Sequence, residues 1–139
     1  MPDPYKGMRF RVEIHGIQQA GFSECSSVGS HLEVIEYREG GDPDRVRKFP
    51  GKHSCPDITL KWGTTDSREL YDWHMLAVNG RIQKLDGSVV QLDDTGTEKV
   101  RWNFFKAWPS KWDGPTYSAK GADMSIETLT LTCEYVERA

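Results

Sequence analysis

The stretch that decides the fold begins Tyr37-Arg38-Glu39-Gly40-Gly41-Asp42-Pro43. It continues through Arg47-Lys48-Phe49-Pro50-Gly51-Lys52 and Asp57-Ile58-Thr59-Leu60-Lys61-Trp62-Gly63 to Asp66-Ser67-Arg68-Glu69-Leu70-Tyr71-Asp72-Trp73. Physically this is a strand end, a turn-rich arm, a second strand and the start of a helix. Gly40-Gly41-Asp42-Pro43 interrupts regular pairing, because glycine reaches positive φ and proline lacks an amide donor and constrains the residue before it. Ile58, Leu60 and Trp62 alternate with Asp57, Thr59 and Lys61, the period of a half-buried strand. Asp66 and Glu69 have the spacing of a capping box, although aspartate is a less usual cap there than serine or threonine. The helix they open runs from about Ser67 to Val78. Leu70, Trp73 and Ala77 share one stripe while Arg68, Glu69 and Asp72 face elsewhere. Asn79-Gly80 is a good stop, since both residues tolerate the left-handed cap conformation. The aromatic stripe reads as core.

Outward from this centre the chain is strand-rich. Phe10, Val12 and Ile14 alternate with Arg11, Glu13 and His15, giving the clearest strand, which Gly16 ends. Ile17 to Phe22 fits a short return strand, and Glu24 to Ser30 a polar loop. Leu32 and Val34 point one way and Ile35 and Tyr37 the other, which implies a β-bulge or a strand buried on both faces. The arm from Arg38 to Cys55 is long and densely charged; such connections are usually functional or disordered. Taken alone, it is either a solvated hairpin without a partner or an interaction arm.

A strand is expected from Arg81 to Asp94, centred on Val89 to Leu92, with turns at Asp86-Gly87 and from Asp93 to Gly96. Another is expected from Lys99 to Ala107, after which Ala107-Trp108-Pro109 to Gly114-Pro115 turns the chain. The last strand spans about Met124 to Glu137. Leu129, Leu131, Cys133 and Tyr135 form one face, and Thr128, Thr130, Thr132 and Glu134 the other. Ile126 is out of phase with Leu129, which predicts a bulge near Glu127. Residues 1–139 thus read as a single, mainly β domain: an antiparallel barrel or sandwich with one flanking helix, about 67–78, and an extended arm, about 38–55.

The 139 residues suffice for one core, and a domain of this size buries roughly 68% of the surface its unfolded chain exposes. Charged residues make up 28% and hydrophobic ones 37%, which argues against disorder. A net charge of −3 argues against nucleic-acid binding, which needs a basic face. Cys25, Cys55 and Cys133 are odd in number and widely spaced, which fits reduced thiols better than a disulfide framework. No apolar run approaches the roughly 20 residues that span a bilayer. The polar start, Met1 to Gly7 with Arg9 following, predicts synthesis in the cytoplasm without a signal peptide. On that reading the protein leaves the cell only within an assembled particle or after lysis.

Catalytic wording is poor. Gly51-Lys52 is followed by His53 rather than the serine or threonine of a phosphate loop, and Val46 stands where its first glycine belongs. No Gly-x-Ser-x-Gly elbow and no His-Glu-x-x-His pair occurs. His53 and Cys55, with Cys25, make a weak metal possibility against the plainer reading of surface histidine and packed cysteine. Asp93-Asp94 and Asp42-Pro43-Asp44 read as turn residues. No catalytic residue, cofactor or metal is expected, and the protein is not read as an enzyme. Trp108, Trp112 and Tyr117 would suit a monomeric β-sandwich carbohydrate-binding module. The other reading of the two tryptophans is that they pin the turn around Pro109.

Four words occur in order at characteristic spacings: Glu39-Gly40-Gly41, Pro50-Gly51-Lys52, Leu60-Lys61-Trp62-Gly63, and Ser67-Arg68-Glu69-Leu70-Tyr71-Asp72-Trp73. Together they resemble the tail-tube proteins of contractile phages, and still more the inner-tube proteins of extracellular contractile injection systems. Ala107-Trp108-Pro109 and Lys111-Trp112 extend the resemblance into the C-terminal third. Ser26-Ser27-Val28-Gly29 departs from the family's Ser-Gly-Leu-like turn, and Tyr117 to Gly121 matches only in part.

The resemblance implies a structural subunit whose hexameric rings stack into a hollow tube inside a contractile sheath. Sheath contraction would drive that tube through a target membrane. The implied partners are further copies of the chain, the sheath, baseplate and tip proteins, and protein cargo in the lumen. The membrane would be met only by the assembled phage tail-like particle, in the cytoplasm or after release, and the subunit would bind no nucleic acid specifically. If each subunit lends four strands to an inner barrel, about 24 strands at about 4.8 Å spacing give a backbone diameter of roughly 37 Å before tilt widens it. Arg38, Gly40, Gly41, Asp42, Arg45, Arg47, Lys48 and Lys52 are then candidates for the inter-subunit arm. Candidates for the lumen wall are Arg9, Arg11 and Glu13, or Thr128, Thr130, Thr132 and Glu134.

Overall fold

One bent strand shapes the molecule. In the computed structural model, which describes residues 9–18, 21–38, 40, 41, 45–117, 119 and 125–139, strand β7 runs without a break for 16 residues, Glu98–Asp113. Before it come β1 (Phe10–Ile14), β2 (Phe22–Cys25), β3 (His31–Tyr37), β4 (Arg47–Ser54), β5 (Ile58–Gly63), helix α1 (Glu69–Val78) and β6 (Leu85–Leu92). After it come β8 (Ile126–Thr132) and β9 (Tyr135–Arg138). The main sheet has the order β1-β6-β7-β8-β5-β2, with β9 also on β7, and every pairing is antiparallel.

The first half of β7 pairs with β6, and residues 102–105 also pair with β9; residues 108–113 pair with β8. The changeover sits at a bulge. Leu85 faces Ala107 but Gly87 faces Phe104, so β7 carries one extra residue. Lys106 takes it up at φ 56°, its amide donating to Asp86 Oδ1 at 3.0 Å. As a result Phe104 and Ala107, three apart, both point inward and are fully buried. Opposite them Gly87 has to be glycine: a Cβ there would lie 2.4 Å from the Glu13 carbonyl oxygen and 2.4 Å from the Phe104 ring. A second slip, between Pro109 and Lys111, bends the strand again.

The turn expected at 107–115 is therefore a curved strand. Pro109 looks like a breaker because it lacks a donor, yet it is buried on the inner face, with its carbonyl oxygen 3.1 Å from His74 Nδ1. The last strand is interrupted at Cys133-Glu134, where the Glu134 amide donates to the Phe105 carbonyl at 3.0 Å. No bulge occurs near Glu127: β8 pairs with β5 in unbroken register, and Glu127 shares the inner face with Leu129 and Leu131 while Ile126 faces out. Glu127 can sit there because it accepts a hydrogen bond from Trp112 Nε1 at 3.2 Å. The break also turns Tyr135 outward, where it stacks on Phe105 with ring centroids 4.5 Å apart.

The core draws Val12 and Ile14 from β1, Ile58, Leu60 and Trp62 from β5, and Phe104, Leu129 and Leu131 from β7 and β8. α1 closes it with Leu70 and Trp73, whose Nε1 donates to the Gln83 carbonyl at 2.8 Å. The capping box does not form. Arg68 occupies the cap position with no side-chain hydrogen bond, and Glu69 instead accepts the Gln18 amide at 3.0 Å. The expected stop is present, with Gly80 at φ 81°. Ile17 makes only a bridge to Ile14, and the return strand is Phe22–Cys25, shifted into the segment read as loop. The strand expected from Arg81 begins only at Leu85.

Among the described residues, β3 pairs only with β4, as a separate two-stranded hairpin. Its register slips between Leu32 and Val34, but the extra residue lies on β4, between His53 and Pro50, so β3 itself carries no bulge where its phase switches; its residues are exposed, not buried on both faces. The arm is longer and more regular than expected: Arg47–Ser54 is a strand, and the projecting element starts at His31.

Candidate assembly surfaces

The hairpin exposes an apolar surface. Ile35 pairs with Phe49 and Tyr37 with Arg47, so all four share one face, and the Tyr37 and Phe49 rings stand 6.5 Å apart. Val34 is 61% exposed, Leu32 59%, Tyr37 50%, Phe49 48% and Ile35 46%. Ile35, Tyr37 and Phe49 are contiguous on one face and Leu32 and Val34 lie on the other; single exposed apolar residues are ordinary, but such a set on a projecting element marks a contact surface. Of the candidate arm residues, Arg38, Gly40, Gly41 and Arg45 are exposed around the hairpin tip. Arg47, Lys48 and Lys52 lie on β4, with Lys48 opposite Glu36. Asp42 lies outside the described residues. Reading the arm by its charges missed its apolar face, although the unalternating run Leu32-Glu33-Val34-Ile35-Glu36-Tyr37 carried the signal.

The two candidate lumen sets lie on different parts of the sheet. Arg11 and Glu13 are on the outer face of β1, tied into an ionic cluster with β7. Arg101 donates to Glu13 at 2.9 Å and to Glu98 at 2.6 Å, and Arg11 reaches Glu13 at 2.9 Å and Glu98 at 3.4 Å. The hydrogen bond from Arg101 holds the carboxyls of Glu13 and Glu98 below their ordinary range, and those carboxylates raise the Arg101 guanidinium in turn. Arg9, just before β1, donates to the Asp94 carbonyl at 2.7 Å. Thr128, Thr130 and Thr132 line the outer face of β8, where Thr128 faces Lys61 and Thr130 faces Thr59 on β5. Thr132 Oγ1 donates to Asp57 Oδ1 at 3.2 Å. Glu134 stands apart from the threonine row, at the break, paired with Lys84 at 3.0 Å.

Among the described residues each end of the sheet has one partner: β1 pairs only with β6, and β2 only with β5. The His15 amide donates to Asp86, and the Leu92 amide to Arg9. Antiparallel pairs alternate, so Arg11 and Glu13 share that hydrogen-bonded phase, whereas the backbone groups of Phe10 and Val12 point away from β6. The sheet curls until these two edges flank a cleft of about 390 Å³, lined by Phe10, Cys25, Val28, Val89 and Trp102.

The aromatic shelf does not exist. The register slip at Ser110 puts Trp108 opposite outward Thr132 but Trp112 opposite inward Leu129. Trp112 is held edge-on to Tyr71 at 4.9 Å, and Tyr117 is 81% exposed. The carbohydrate-module reading loses its platform. His53 Nε2 lies 2.7 Å from Ser30 Oγ, while Cys25 donates to the Ser26 carbonyl and Cys55 to that of Glu134. Among the described residues no three metal-ligating side chains converge, and no helix is long and apolar enough to cross a membrane.

A curled sheet with two single-partner edges and a projecting apolar hairpin has close counterparts among solved structures. A chain of the PVC extracellular contractile injection system, from its sheath/tube terminator in the extended state, is 27% identical; the match covers 99% of this chain and 98% of that one, with TM-score 0.85. A chain of the PVC sheath–tube complex in the extended state is 26% identical, covering 98% and 91%, with TM-score 0.83. A chain of the anti-feeding prophage baseplate shares the fold at TM-score 0.88 and 21% identity, covering 100% and 97%. No curated protein sequence matches the chain. The family model of the T4-like virus tail tube protein gp19 matches residues 6–137. With nearly every residue inside that match, the chain belongs to the T4-like tail tube protein gp19 family.

Proposed function

We propose that the chain is the repeating subunit of the inner tube of a contractile injection particle, with a structural rather than catalytic role. Hexameric rings form when the open edges of one copy meet those of its neighbours, and rings stack into a hollow tube. A heterologous contact that closes on itself gives a ring and removes the exposed edges. A sheath contracts around the tube and drives it through a target membrane, and the bore carries protein cargo. Sheath and baseplate proteins are its partners; PVC and anti-feeding prophage chains of the same fold come from such complexes.

The observation that carries this reading is the hairpin. Five large apolar residues lie exposed on an element that pairs with nothing else in the described chain, and a lone monomer would leave them in water. The test is size-exclusion with light scattering and negative-stain imaging of the purified chain. Rings or tubes are expected as concentration rises. A species that stays monomeric throughout overturns the proposal.

A further inference from the structure

The cysteines do not all sit alone. Cys133 is 7% exposed, in the break between β8 and β9. Cys55 is half-buried and directly follows β4, at the root of the hairpin. Its Sγ donates at 3.7 Å to the carbonyl of Glu134, the residue next to Cys133, which brings the two cysteines to the same place in the fold. Both occupy irregular backbone between strands, so the remaining approach to the roughly 2.05 Å of an S–S bond breaks no ladder. Cys25, on β2, has its own partner, the Ser26 carbonyl at 3.3 Å.

We propose that Cys55 and Cys133 are a disulfide-forming pair that ties the root of the β3–β4 hairpin to the main sheet when the protein meets a small-molecule disulfide oxidant. Burial, with Cys55 and Asp57 nearby, pushes the Cys133 thiol up to about 11, and burial also shields it from solvent. Cys55 is thus the sulfur an oxidant reaches first. The Cys55 thiolate attacks one sulfur of oxidised glutathione and releases one glutathione thiolate. Cys133 then gives its proton to solvent and attacks Cys55 in the mixed disulfide, releasing the second. Two protein thiols are oxidised by two electrons, and one glutathione disulfide is reduced to two thiols. The bond crosses between sequence-distant elements, so it restrains the unfolded chain as well as the swing of the hairpin. The pair belongs to the single chain and forms whether or not that chain builds a tube.

The test uses the full chain carrying Cys25→Ser, treated with oxidised glutathione. The expected product is lighter by about 2 Da, two hydrogen atoms. It should give a Cys55–Cys133 linked peptide, revert with reductant and melt at higher temperature. Cys55→Ser in the same background should show neither the mass loss nor the melting shift. A stable glutathione adduct in place of the mass loss overturns the proposal. So does maleimide labelling of both thiols after oxidation and denaturation.

Discussion

Arg101 holds the outer face of β1 and β7 together, and its effect depends on pH. Its side chain is 26% exposed and its partners Glu13 and Glu98 are 38% and 41% exposed, so solvent weakens each pair. Both carboxyls are held below their ordinary value of 4.5 in the folded chain. A depressed carboxylate contributes stability that is present above its unfolded value and lost as pH falls through its folded one. Arg101→Leu should therefore cost stability near neutral pH, and that cost should shrink as the pH drops well below 4.5. Urea unfolding of wild type and variant across a pH series measures it; a difference that ignores pH would show that Arg101 acts by packing alone. At this scale the sequence was partly legible. Alternation placed Arg11 and Glu13 outward, but Glu98 and Arg101, on a strand far along the chain, carried no mark that they would join them. The bulge near Glu127 was expected because apolar Ile126 was taken to belong to the core face, whereas Ile126 faces out and Glu127 faces inward with Trp112 as its partner.

Elements with a clean period were read correctly: β1, β5 and the α1 stripe each show one apolar face in the sequence and in the structure. Bent elements were not. β7 looked like a strand followed by a turn because Pro109 is a local breaker, and only the facing strand β8, with its long inner row, keeps it extended. The hairpin was found as an arm, but its regularity was hidden, since Pro50 and Gly51 argue against the strand they occupy. That regularity makes a specific experiment possible. Ile35, Tyr37 and Phe49 lie on one face and support no core, so replacing all three with serine should leave subunit stability within about 0.5 kcal/mol per site. Assembly should fail: light scattering should report monomers or isolated rings where wild type gives tubes, with an unchanged circular dichroism melt. Tubes of normal length would remove the hairpin face from the junction. A collapsed melt would show that it serves the subunit's own fold.

For the whole molecule the question is which edges join copies, and β1 offers a clean separation of packing from pairing. Val12 is 5% exposed, with its side chain in the core and its amide directed away from β6, the strand's one described partner. Val12→Ala removes core methyls and leaves the amide. Val12→Pro removes the amide as well, at an edge position where proline breaks no bond to β6. Both variants should lose stability through the missing packing, roughly 1–3 kcal/mol as for other core truncations. Subunit assembly should divide them. If β1 is completed by a neighbouring copy, the alanine variant should still form rings once its folded fraction is restored by lower temperature, and the proline variant should not, because the ladder across the junction has lost a donor. Size-exclusion at matched folded fraction, read from circular dichroism, makes the comparison. Equal assembly by the two variants would mean that rings close elsewhere, leaving the β2 edge and the hairpin as the surfaces that join one subunit to the next.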